Sequence, residues 1–348
     1  MSTQMIFWAA FVILFFIVFF IDMYATGHRK GDLTVGIALR WTALWISIAL
    51  LYGLAIFLFF PQNSESTVRT GSVMMFKFIS GYLTEYSLSV DNLFVFIMIF
   101  SLMGVHENNQ PKLLKLGILL SIVLRILFIL AGMELVQRFS WIIYIFGIIL
   151  LWTAYKMAFT SGDDHVDPQS NILYKTASKL FPLDPDPHAS HFFKRMNGKI
   201  YITSIFLVFL VIGSTDVLFA VDSIPAIIGV IKEGATNILT SSEEDFLAVT
   251  SNVFAVMGLV SLFFALKGIM GMFRYLKTGV SFILFFIGMK MLLGSVHVVE
   301  EFFKSHSWVS LLVIILTLLI SVLLSIIIKE KEEIEDLKEE IEQIKHDD

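Results

Sequence analysis

Apolar residues run along this chain in long, nearly unbroken stretches, and polar residues gather between them. A bilayer core is crossed by about 20 apolar residues in helical form. On that basis the pattern predicts nine spans, at 5–23, 40–60, 73–103, 112–134, 139–158, 200–231, 246–267, 278–297 and 307–328. The third and sixth are the longest, about 47 Å each if fully helical. That exceeds the hydrocarbon core and predicts a tilt or a break in both. The expected fold is an all-α polytopic membrane protein.

Two of these runs contain acids where lipid should allow none. TEYSLSVDN, Thr84 to Asn92, carries Glu85 and Asp91 inside the third span. TDVLFAVDS, Thr215 to Ser223, repeats the phrase inside the sixth with Asp216 and Asp222. Three crossings separate the two phrases, so they enter the membrane from opposite sides. Fainter echoes follow, Arg125 in the fourth span against Val260 in the seventh and Lys156-Met157 in the fifth against Lys290-Met291 in the eighth. Their offsets of 135 and 134 residues lie close to the 131 between Thr84 and Thr215. The pattern reads as two inverted three-helix repeats with a site at their interface, a recurrent transporter plan.

The domain reading follows. Residues 1–72 hold two peripheral helices, 73–158 the first repeat, 159–199 a cytoplasmic linker, 200–297 the second repeat, 298–328 a ninth helix and 329–348 a charged tail. Pro168, Pro182, Pro185 and Pro187 argue against one continuous helix in the linker. In the tail, Ile334, Leu337, Ile341 and Ile344 have heptad spacing, which suggests a solvated helix with some capacity to make homo-oligomers.

Composition supports the membrane reading: of 348 residues, 57% are hydrophobic and only 16% charged, too few to cover a soluble globule of this size. Loop charge then sets orientation, because cytoplasmic loops retain Lys and Arg. Alternate connections, beginning with the one after the first span and ending with the tail, hold 17 basic residues, whereas the opposite set holds Arg69, Arg138, Lys232 and Lys304. The N-terminus is expected outside and the C-terminus in the cytoplasm. The chain has no cysteine, so any metal must be held by oxygen, or less readily by imidazole or thioether.

Each carboxylate at a helix centre costs roughly 2.5 to 3.5 kcal/mol on the insertion scale, so four cost on the order of 10 to 14 kcal/mol. Against them stand Arg125 and Lys290 as charge-balancing residues, which leaves the interior net negative. A bound cation or bound protons would complete the balance. The candidate metal ligands are Glu85, Asp91, Asn92, Asp216, Asp222 and Ser223, with the hydroxyls of Thr84 and Thr215 as secondary oxygens. An all-oxygen set of this kind suits a six-coordinate divalent cation, Mn2+, Mg2+ or Ca2+. Residues six apart on a straight helix differ by about 600° of rotation. Glu85 and Asp91 therefore face apart unless the helix breaks, and otherwise form two stations, while Asn92 returns to the Glu85 face. Pro225 should kink the sixth span and free the carbonyl of Val221 beside Asp222.

With those residues in view, the chain resembles the TerC/Alx family of integral membrane proteins, the tellurium-resistance type. The resemblance rests on EYSLSVDNLFVF (85–96), Arg125, TDVLFAVDSIPA (215–226), TSNVFAVMGL (250–259), FRYLKTG (273–279) and FIGMKML (286–292). It implies a multi-pass inner-membrane protein of metal-ion homeostasis, most often a manganese exporter, with Glu85, Asp91, Asp216 and Asp222 as its intramembrane acids. Where the family usually has an arginine after TSNVFAVMGL, this chain has Val260.

The expected function is secondary export of a divalent cation, Mn2+ favoured, coupled to protons. No Walker A glycine loop is present to energise transport. The other reading is a membrane scaffold for a resistance or protein-export assembly, with a structural ion. Expected partners are the lipid bilayer, metal cations and protons, with no nucleic acid, no organic cofactor and no enzymatic activity.

Overall fold

Helices dominate because a chain in lipid must satisfy its backbone N–H and C=O groups internally. A computed structural model describes residues 3–27, 35–61, 69–106, 109–159, 171–184, 191–196, 198–232, 238–268, 275–294 and 296–328. Among these, nine helical stretches are long and apolar enough to cross a membrane. The heptad tail and most of the proline-rich part of the linker lie outside the described residues.

In chain order the elements are α1 (Thr3–Gly27), α2 (Val35–Phe59), α3 (Thr70–Leu102), α4 (Gln110–Arg138), α5 (Ile142–Phe159) and α6 (Ile172–Leu180). A short antiparallel hairpin follows, β1 (Phe193–Met196) paired with β2 (Lys199–Ile202). Then come α7 (Ser204–Lys232), α8 (Ser241–Val256), α9 (Leu259–Gly268), α10 (Leu276–Leu293), α11 (His297–Ser305) and α12 (Trp308–Ile327). The membrane-crossing stretches match the nine expected runs. The sixth begins later than expected, because residues 199–202 belong to the hairpin, tied down by Ile202 N–H donating to the Pro182 carbonyl (3.0 Å).

Local chemistry accounts for several boundaries. Asn171 caps α6, its Oδ1 accepting from the N–H groups of Leu173 (2.9 Å) and Tyr174 (3.3 Å). Thr240 and Glu243 form a reciprocal capping box at the start of α8. The seventh span is broken between α8 and α9 at Met257 and Gly258. Gly258 has φ +91°, and a Cβ there would lie 2.5 Å from Cδ1 of Trp45 on α2. Only glycine combines that backbone conformation with that approach. α7 remains helical from Ser204 to Lys232 with Pro225 inside it, so the sixth span is not broken. Likewise α3 is unbroken through both of its acids.

The α8–α9 stretch is the buried axis of the molecule, 94% of its most apolar window being enclosed, against 17% for the first and ninth spans. Those outer helices face lipid. α2 is less peripheral than its place in the chain suggested, since it packs on α3 and α9 and supplies Trp45 to the break.

Around the axis the contacts are reciprocal. α4 runs beside α7, with Gly117 against Ile212 and Gly132 against Ile228. α3 runs beside α8, with Gly81 against Ser251. α5 and α10 cross where Gly147 and Gly288 back onto each other's carbonyls, at 3.2 and 3.0 Å from an added Cβ. Small residues allow such close helix approach in membranes. α3 and α7 run antiparallel, as Lys77 Nζ donating to the Val230 carbonyl (3.0 Å) and the Phe96–Phe219 ring pair (6.3 Å) require.

Candidate functional site

Where α3, α4 and α7 meet, three charged side chains are buried together. Glu85 is fully enclosed, Arg125 is 1% exposed and Asp216 is 5% exposed. Nη1 of Arg125 contacts Oε1 of Glu85, and Nη2 lies 3.4 Å from Oδ1 of Asp216. One guanidinium on α4 therefore bridges carboxylates from the two repeated phrases. Glu85 has two further donors: Ser89 Oγ to Oε1 at 2.9 Å, from the next turn of α3, and Asn252 Nδ2 to Oε2 at 2.8 Å, from α8. Its charge is thus held by a cation and two dipoles, as a buried charge requires.

Beside this triad lies a cavity of about 10 Å3, room for about one water-sized sphere. Ser89, Asn92, Ser121, Arg125 and Asp216 supply its polar wall, and Leu259, the first residue of α9, reaches it from the helix break. Oδ2 of Asp216 and Nε of Arg125 are buried with no hydrogen-bond partner among the described residues. Buried polar atoms are rarely left so.

The four acids do not gather into one cluster. Among the described residues no three carboxylate or imidazole side chains are placed to hold a metal together. Because α3 is a continuous helix, Asp91 points away from Glu85, and Ser89 and Asn92 are the members of the phrase that line the cavity. Asp91 is half-buried, with Lys277 on α10 as the cation acting on it. Asp222 is also half-buried, its Oδ1 accepting from Thr153 Oγ1 of α5 at 2.7 Å, with Lys156 as the nearby cation. Of the two expectations for α3, a broken or a straight helix, the structure has the straight one.

Of the neutral candidates, Thr84 is fully buried and its hydroxyl has no partner among the described residues. The same holds for Oγ of Ser223, 1% exposed. Thr215 returns its hydroxyl to the Val211 carbonyl (2.8 Å), inside its own helix. Lys290 is buried, but its described contacts run to Ser310 Oγ (2.6 Å) and the Phe303 ring (4.1 Å). The charge that meets Glu85 and Asp216 is Arg125.

Sequence reasoning passed over Ser89, Thr153, Asn252 and Lys77. Lys77 lies two turns before Glu85 on α3, 6% exposed, at a depth where a cation in an apolar run is itself a signal. It marks a second charged layer, in which Lys232 of α7 pairs with Glu244 of α8 at 2.6 Å. Lys77 lies within electrostatic reach of the same Glu244.

Residues 70–333 match the model of the integral membrane protein TerC family, which takes in every residue of both acidic phrases and Arg125. The chain belongs to the TerC family. Curated relatives agree: a Photorhabdus laumondii protein named as a proposed membrane-bound redox modulator, Alx, is 36% identical over 82% of this chain and 85% of its own length. The Alx protein of Escherichia coli K12 is 35% identical over the same shares. A membrane protein of Myxococcus xanthus without an assigned role is 36% identical over 88% of each chain. No solved structure matches this TerC-family chain.

Proposed function

We propose that this TerC-family chain is a secondary transporter that exports a divalent metal cation, Mn2+ favoured over Ca2+ and Mg2+, in exchange for protons. The observation that carries the reading is the bridging of Glu85 and Asp216 by Arg125 within the membrane bundle, beside a small cavity lined in part by Asp216, whose Oδ2 has no partner among the described residues. A cation supplies the charge that site lacks, and its oxygen-only donors suit a hard divalent ion. Asp91 and Asp222 then act as separate stations on the path, each acid near a lysine.

Reciprocal packing supports two inverted repeats: α4 beside α7 answers α3 beside α8, while α3–α7, α4–α8 and α5–α10 pair each element with its counterpart. The broken seventh span at the cavity is the kind of discontinuity that transporters place at their sites. The excess of basic residues on one set of loops supports a cytoplasmic C-terminus in an inner membrane. The relatives' printed role in redox modulation carries over only so far as this chain's chemistry permits. It has no cysteine, so its own thiols supply no redox couple.

Inside-out membrane vesicles test the reading. Wild type should accumulate Mn2+ when a pH gradient is imposed, and Asp91→Asn and Asp222→Asn should each slow accumulation by about tenfold or more, as loss of a buried charge worth more than about 1.4 kcal/mol would. Accumulation by both variants at the wild-type rate would remove the transport reading.

A further inference from the structure

The geometry points to Arg125 as a tethered counter-cation that occupies the cargo's place between Glu85 and Asp216 and must leave it before a divalent cation can bind. This deepens the transport reading and rests on it for the identity of the cargo. Four observations carry the inference.

First, the guanidinium lies between carboxylates of two different helices, α3 and α7, where a bridging metal would also lie. Second, the fit is incomplete for a permanent structural pair. Arg125 Nε and Asp216 Oδ2 are both buried and unpartnered among the described residues, although a guanidinium fork and a carboxylate can satisfy each other bidentately. Third, the cavity of about 10 Å3 beside the triad has Ser89, Asn92, Ser121 and Asp216 in its wall, among apolar residues such as Leu93, Phe96 and Ile118. It offers neutral oxygens and one free carboxylate oxygen to an incoming ion, with no space for a full hydration shell. Fourth, two carboxylates against one guanidinium leave one net negative charge. A divalent ion added to the triad would sit within a few ångström of a fixed positive charge at low dielectric, whereas a divalent ion in place of the guanidinium neutralises both acids.

The consequence is exclusive occupancy. With the cargo gone, the guanidinium returns to the acids, so the empty carrier never leaves two bare carboxylates in the membrane. The device is single-sided, because the echoing position in the second half of the chain is Val260, 4% exposed and apolar. The α3 acid has its own neutral donors in Ser89 and Asn252, so it stays solvated by protein when Arg125 departs.

The test is equilibrium Mn2+ binding to the purified full-length protein in lipid nanodiscs, alongside Mn2+ flux in proteoliposomes. Arg125→Gln should bind Mn2+ about tenfold or more tightly than wild type, because one competing positive charge is gone, while its flux falls. If Arg125→Gln does not fold, Arg125→Lys decides the matter: a compact ammonium cannot bridge both acids, so tighter binding is again expected. A folded variant that binds Mn2+ no more tightly than wild type overturns the proposal. Tighter binding in the variants with no Mn2+ flux through wild type would overturn the transport reading and leave the counter-cation standing.

Discussion

Among the described residues Glu85 is a fully enclosed charge, and its stability depends on how many donors surround it. Arg125 supplies the opposite charge, Ser89 a hydroxyl from its own helix and Asn252 an amide from α8. Removing one partner leaves a buried carboxylate oxygen short of a donor, at a cost of about 1 to 3 kcal/mol. Asn252→Leu, close in volume and unable to donate, should therefore lower the unfolding temperature in detergent by several degrees, and Ser89→Ala by less. An Asn252→Leu protein that melts with wild type would mean that the amide contributes nothing to holding Glu85. Glu85, Arg125 and Asp216 were legible in the sequence because a charge in an apolar run is conspicuous at once. Asn252 was not, for it sits 167 residues from Glu85 and a neutral polar residue in a span reads equally well as helix-packing glue. Only the packing of α8 on α3 selects it.

Geometry at the level of the helix settles what residue spacing left open. An unbroken α3 turns Asp91 away from Glu85 and keeps Asn92 on its face, so Glu85 and Asp216 meet at Arg125 while Asp91 and Asp222 lie apart from them. The break lies instead in the seventh span, at a glycine that one sequence cannot distinguish from the many others in membrane helices. Its reason is tertiary: Trp45 of α2 fills the space where a Cβ would go. Gly258→Ala meets both the positive φ and that indole, and strain of this kind costs on the order of 1 to 3 kcal/mol. The expected result is a less stable protein whose Mn2+ flux falls more than its stability alone explains, since Leu259 next to the break lines the cavity. Thermal melts and vesicle flux on the same preparation would check it; full flux with unchanged melting would show that the break is incidental. α7 accommodates Pro225 within a continuous helical run, as membrane helices do when neighbours and local adjustments satisfy the freed carbonyl.

At the scale of the whole molecule, the two ends of the central helices are closed by different chemistry. At one end Lys77 binds the Val230 carbonyl and Lys232 pairs with Glu244, which ties α3, α7 and α8 together. At the other, aromatic pairs close the bundle, Phe96 with Phe219 and Phe100 with Phe263 (5.7 Å). Alternating access requires one closure to yield while the other holds. In the orientation proposed above, the Lys232 end faces the outside. Glu244→Gln keeps the shape of the side chain and removes its charge, so it should weaken the outer closure alone. The native chain has no cysteine, which makes a single reporter unambiguous. Ser223→Cys, at a position 1% exposed and between Asp216 and Lys232 on α7, should react slowly with a membrane-impermeant thiol reagent applied from either side. Adding Glu244→Gln should accelerate its labelling from the outside by about tenfold, the effect of loosening a part-buried pair worth about 1.4 kcal/mol, and leave labelling from the cytoplasmic side unchanged. Equal acceleration from both sides would mean that the substitution loosens the bundle as a whole, and no acceleration would mean that the Lys232–Glu244 pair does not close the path.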